Sequence, residues 1–216
     1  MAEPTDNSTE KHSYKESLPT AGGVVIDLGT GDGRFVYQSA RSNPHKFYIG
    51  IDAQARGLAK ISEKIHRKPQ KGGLANVIFV QAAVEDLPEE LDGVADELHI
   101  HFPWGSLLGA VASGDQKILA NLRRVLAAGG WLEVIIGLDP ERDRAELARL
   151  GLGDFSAEFL ATELARRYAD AGFDVLESGV LEPGQWPQIE TTWAHKLRGG
   201  ENRRLAYLIA SRSPES

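Results

Sequence analysis

Hydrophobic and polar positions alternate in long blocks along this chain. "GGVVIDLG" (22–29) is a nearly unbroken apolar run closed by glycine, the pattern of a strand buried on both faces. Similar runs stand at 46–52, 76–83, 95–102, 130–138, 173–181 and 204–212. Stretches with helical spacing lie between most of them, at about 34–43, 54–68, 115–127, 141–150 and 156–171. Strands that alternate with helices predict a mostly parallel sheet in a doubly wound α/β fold. The pattern has no internal repeat. It predicts a polar tail over 1–20 and one domain over 21–216, with functional linkers at about 138–172 and 182–203. The second linker, "EPGQWPQIETTWAHKLRGGENR", has no helical period. A connection of that length is more often functional than idle.

Composition narrows the class. The chain is 42% hydrophobic and 25% charged, as expected of a globular domain. It has no cysteine, which excludes a disulfide framework and a thiolate metal site or nucleophile. No apolar run reaches membrane-spanning length, and "MAEPTDNSTEKHSYKESLPT" lacks the apolar centre of a secretory signal. A cytoplasmic protein is expected, and nothing demands more than a monomer.

Candidate chemistry gathers at the strand ends. After the first strand, Asp27 is followed by Gly29, Gly31 and Gly33 in the pattern D-x-G-x-G-x-G. Glycines there let the backbone turn sharply and approach a ligand closely. Dinucleotide loops read G-x-G-x-x-G and seat a pyrophosphate. Here Asp27 and Asp32 flank the loop, which repels a pyrophosphate and suits a cation. S-adenosylmethionine, with its ammonium and sulfonium, fits better. Asp52 ends the second strand, where a carboxylate can accept both ribose hydroxyls. After the third strand, the Val84 backbone and Glu85 fall where an adenine edge would lie.

The formal charge of −7 argues against a nucleic-acid partner, but its distribution argues for one. From Arg56 to Lys71 six Lys/Arg face a single Glu63, a local net of +5. Arg56, Lys60, Lys64, Arg67, Lys68 and Lys71 recur every three or four residues, opposite Leu58, Ile61 and Ile65. This predicts an amphipathic helix with a basic ridge suited to a phosphate backbone. His195, Lys196, Arg198, Arg203 and Arg204 add a second basic group. Trp131 reads as core and Trp186 as loop packing. Spacing leaves Trp104 open between core and site, while Trp193 in a polar linker suggests a site. His99 and His101 share a strand face. With no third ligand evident, they read as structural histidines and no metal is expected.

"IDLGTGDGR", "YIGID", "KPQKGGLANVIFVQAAVEDLP", "FPWGSLL" and "TTWAHKL" together resemble the aminoglycoside-resistance methyltransferases that modify N1 of the adenosine at position 1408 of 16S ribosomal RNA. The resemblance spans roughly residues 24 to 210. It implies a class I S-adenosylmethionine-dependent methyltransferase fold, Rossmann-like. The sheet would have seven mostly parallel strands, the last antiparallel, with helices on both faces. Asp27, Gly29, Asp52 and Glu85 would match cofactor-binding positions. Trp104 and Trp193 would match two tryptophans that hold a flipped adenine, with Ser106 and Thr191 lining that pocket. Lys64, Arg67, Lys68 and Lys71, joined by Lys196 and Arg203, would dock on 16S RNA within the 30S subunit.

One departure from other adenine methyltransferases is informative. Enzymes acting on the exocyclic amine often carry an acid or amide after the fourth strand, where this chain has H-F-P-W (101–104). A ring nitrogen needs no such group, because N1 has an in-plane lone pair at neutral pH. N1 is reached only when the base leaves its stack, at a few kcal/mol. Stacking returns about 1–3 kcal/mol per base. The cationic product would disfavour cationic aminoglycosides. A methyltransferase for a small molecule is the alternative. A non-catalytic cofactor-binding module or a hydride-transfer enzyme ranks lower.

Overall fold

The computed structural model describes residues 23–139, 141–153, 156–181 and 204–213. Thr191, Trp193, Lys196 and Arg203, the 1–20 tail and the linker at 182–203 lie outside the described residues.

Seven strands form one sheet: β1 (Val24–Leu28), β2 (Phe47–Asp52), β3 (Val77–Gln81), β4 (Ala95–His101), β5 (Leu126–Leu138), β6 (Phe173–Leu181) and β7 (Arg204–Arg212). Their order is β3-β2-β1-β4-β5-β7-β6. Strands β1 to β5 pair in parallel, and β7 runs antiparallel to both β5 and β6. The expected α/β class and seven-stranded, mostly parallel sheet are thus present.

Helices cover both faces. On one, Val36, Tyr37 and Ala40 of α1 (Arg34–Ser42) and Ile65 of α2 (Ala55–Ile65) pack on Val25, Tyr48 and Val77. On the other, α3 (Gly105–Ser113), α4 (Gln116–Val125) and α7 (Ala165–Asp170) bury Leu108, Leu119, Leu122 and Tyr168 against Ile26, Leu98 and Leu132. The stretch 138–172, expected as a functional linker, holds α5 (Arg144–Leu150) and α6 (Ala157–Phe159), then a π-helical turn (Leu160–Leu164) that runs into α7.

Three boundaries differ from the sequence pattern. The segment expected as one helix over 54–68 ends at Ile65, and Pro69–Lys71 forms a separate 3₁₀ turn. Proline cannot donate to a continuing helix. Strand β5 begins at Leu126, inside the stretch expected as helix. Helix α3 was not expected: "GSLLGAVAS" carries two glycines and too little polar contrast to show a period.

Candidate active site

β1 lies between β2 and β4, where the strand order reverses. In open α/β sheets the crevice at such a point is where ligands bind. A cavity of about 550 Å³ opens there. Gly29 and Gly31 follow β1, Asp52 ends β2, Ala82 to Glu85 follow β3, and Phe102 to Leu107 follow β4. Four strand ends therefore build one site.

The ends of β1, β2 and β3 line the cavity largely with glycine and alanine. Gly29 and Gly31 adopt φ 78° and 61°, a left-handed region that favours glycine. At Gly31 the space a side chain would fill is open. The loop hangs on β2: the Gly29 and Thr30 amides donate to Ile51 O at 2.8 and 3.0 Å. Asp52 Oδ2 accepts from the Gly31 amide and Oδ1 from the Gln54 amide, both at 2.8 Å. Each oxygen keeps a second lone pair for a ligand hydroxyl. The turn at Val84 and Glu85 is held from α4, whose Asn121 Nδ2 donates to Val84 O at 3.0 Å and Glu85 O at 3.3 Å. Sequence reasoning missed Asn121. It also missed Gly57, where a Cβ would stand 2.5 Å from Gly31 O.

The end of β4 adds larger side chains. Trp104 is 50% exposed, and with Ser106 it lines the cavity mouth. The structure resolves the choice left open by spacing: this tryptophan is not core. Just before it, Phe102 has φ 52°, a left-handed conformation rare for a bulky residue. That turn brings the Phe102 ring against Ile135 and Leu205 and sends the chain outward.

Two acids, Asp52 and Glu85, and no Lys, Arg or His line the cavity among the described residues. Asp27 is 4% exposed and is not part of the lining. Burial raises its pKa above the usual carboxylate value, while His101 and His99 act in the opposite sense.

Behind the cavity wall stands a polar cluster. Asp27, His99 and Glu133 are register neighbours on β1, β4 and β5. Glu133 Oε2 lies 2.7 Å from His101 Nε2 and 3.0 Å from His99 Nδ1. His99 Nε2 is 3.5 Å from Glu97, which in turn accepts from Lys46 Nζ at 2.6 Å. Burial opposes charge on His99, but hydrogen bonds to Glu133 and Glu97 outweigh it and raise its pKa to about 9. The two histidines share one buried face, as expected. The expected lack of a third ligand does not hold, because Glu133 is a third group of ligand type beside them. Both ring nitrogens fall within hydrogen-bond distance of one carboxylate oxygen.

The basic ridge is present in part. Arg67, Lys68 and Lys71 are exposed. Lys64 is half-buried, with its ammonium 3.9 Å from the centre of the Tyr37 ring. The Tyr37 hydroxyl donates to Gly72 O at 2.9 Å, tying the basic loop to α1.

Comparison with known proteins agrees with this geometry. The model of the NpmA family, 16S rRNA (adenine(1408)-N(1))-methyltransferase, matches residues 6–212. A curated protein of that name from Escherichia coli is 39% identical over 83% of each chain. The crystal structure of the aminoglycoside resistance methyltransferase NpmB1 is 46% identical, with a TM-score of 0.75 over 93% of each chain. A variant of the enzyme from Catenulisporales acidiphilia, solved with cosubstrate SAM, is 31% identical, with a TM-score of 0.79 over 88% of this chain and 86% of that one. With a doubly wound sheet, an acid-lined cavity at its switch point and an exposed tryptophan at the mouth, the chain belongs to the 16S rRNA (adenine(1408)-N(1))-methyltransferase family.

Proposed function

We propose that the protein transfers a methyl group from S-adenosylmethionine to N1 of the adenosine at position 1408 of 16S rRNA, and that this confers aminoglycoside resistance. The observation that carries the reading is the cavity itself: among the described residues, two carboxylates, no basic side chain, and a half-exposed tryptophan at its mouth. Among the described residues, a pyrophosphate-bearing cofactor would meet negative charge there and no positive side chain. A cation with an adenosine end meets Asp52 for the ribose, Gly29 and Gly31 for close approach, and the Val84–Glu85 turn for the base. Asp27 supports this end from behind the wall.

S-adenosylmethionine supplies the methyl group. The protein supplies placement, which can account for a large part of a rate enhancement. Trp104 stacks on the extruded base, and Trp193 closes on its other face. Ser106 and Thr191 line the pocket between cofactor and base. N1 attacks with its own lone pair, so no side chain serves as general base. Arg67, Lys68 and Lys71, with Lys196 and Arg203, contact phosphates of the 30S subunit. Lys64, with its ammonium over the Tyr37 ring and its side chain beside Gly72, packs against the loop that carries Arg67, Lys68 and Lys71. The protein acts as a cytoplasmic monomer without a metal.

Small ribosomal subunits incubated with labelled cofactor test this directly. Methylation at N1 blocks pairing, so reverse transcription should stop one nucleotide before the target. Label in small molecules, with the RNA unmodified, would reject the reading in favour of the small-molecule alternative.

A further inference from the structure

We propose that Glu133 is a positioning residue: one of its carboxylate oxygens, shared by His99 and His101, pins the end of β4 and so fixes the turn that presents Trp104. The inference rests on Trp104 serving the target base, as set out above.

The turn needs a restraint. Phe102 sits at φ 52°, and a bulky side chain persists in that conformation only where its surroundings over-determine it. Strand β5 holds the chain up to and at the kink. Before it, His101 meets Glu133 Oε2 at 2.7 Å. At it, the Phe102 amide donates to Ile135 O, also at 2.7 Å. Two residues later the chain emerges as Trp104.

The cluster is built, not incidental. Glu133 is 4% exposed, and His99 and His101 are each 8% exposed. A buried carboxylate is retained where donors satisfy it. Here two imidazoles converge on one oxygen of Glu133, with their nitrogens 3.3 Å apart, while its other oxygen and His101 Nδ1 are buried without a hydrogen-bond partner among the described residues. His99 extends the restraint to Glu97 and Lys46. Ring packing completes it: Phe35 of α1 lies 5.0 Å from the His101 ring, and Trp131 lies 5.2 Å from the His99 ring. Neither Glu133 nor the histidines line the cavity, so their effect on the base is through the turn.

Glu133→Gln keeps the shape and removes the charge. Amide hydrogen exchange should speed up about tenfold across residues 102–106 while the 29–33 loop stays within about twofold. Single-turnover methylation of small subunits should fall about tenfold or more, with cofactor affinity changed less than about twofold. His101→Leu removes the bond nearest the kink and should give the same local signature if Glu133→Gln does not fold. Uniform loosening of β4 and β5, or an unchanged 102–106 segment, would overturn the proposal and leave Glu133 a general stabiliser. A stoichiometric metal in the purified protein, lost in Glu133→Gln, would overturn it too. The exchange result does not depend on the RNA, so it survives if the wild-type protein methylates something else.

Discussion

Single side chains divide the labour at this site. Trp104 is half exposed, so its removal takes little from the fold. Trp104→Ala should lower kcat/KM on small subunits by the value of one stacked base, about 1–3 kcal/mol, or roughly 5- to 150-fold. Its melting temperature and cofactor affinity should match the parent. A parallel loss of cofactor binding would make it a structural residue. His99 makes a different prediction. Its folded pKa is raised from 6.5 to about 9, so the stability it contributes is complete below pH 6.5 and is lost as pH rises through 9. The contribution is of the order of a few kcal/mol. Denaturation midpoints should decline across that window, and His99→Gln should flatten the decline. The alternation of His99 and His101 was legible as a shared face. Their partner was not, because Glu133 comes from a strand more than thirty residues on and only the β4–β5 register brings it alongside.

Among the elements, the helices beneath the cavity set its shape. Asn121 on α4 reaches both carbonyls of the Val84–Glu85 turn, and Gly57 of α2 lies against the glycine loop. Asn121→Ala should weaken S-adenosylmethionine binding several-fold without altering subunit binding, because it frees the turn proposed to meet the adenine. Gly57→Ala should act more strongly, since its Cβ would meet main chain 2.5 Å away rather than a yielding side chain. Calorimetric titration of each variant checks the order. The strands and most helices were legible from their periods, since each hides one face or two. Helix α3 was not, with glycine at 105 and 109 and an apolar run through Leu107 and Leu108. The basic ridge was legible as a charge pattern. That Lys64 lies over the Tyr37 ring depends on a contact between α1 and α2 that spacing does not encode.

For the molecule as a whole, an acidic protein carries a basic face. The net charge is −7, so binding to RNA depends on the local patch and on salt. Lys68→Ala and Lys71→Ala should each weaken subunit binding and shallow its logarithmic salt dependence by about 1. Lys64→Ala should instead act through the loop and leave that slope nearer the parent value. Filter binding over a salt series separates the two. The division of the cavity has a consequence for inhibitors. Where β1, β2 and β3 end, the lining is largely glycine and alanine, with Asp52 the carboxylate proposed to meet the ribose, so a cofactor mimic would offer the protein few substitutions by which to escape. The same plainness gives such a mimic little to distinguish this protein from other methyltransferases. Selectivity has to come from the mouth: if Trp104 holds the target base as proposed, a compound that bridges from the nucleoside end onto it engages a side chain the protein cannot give up.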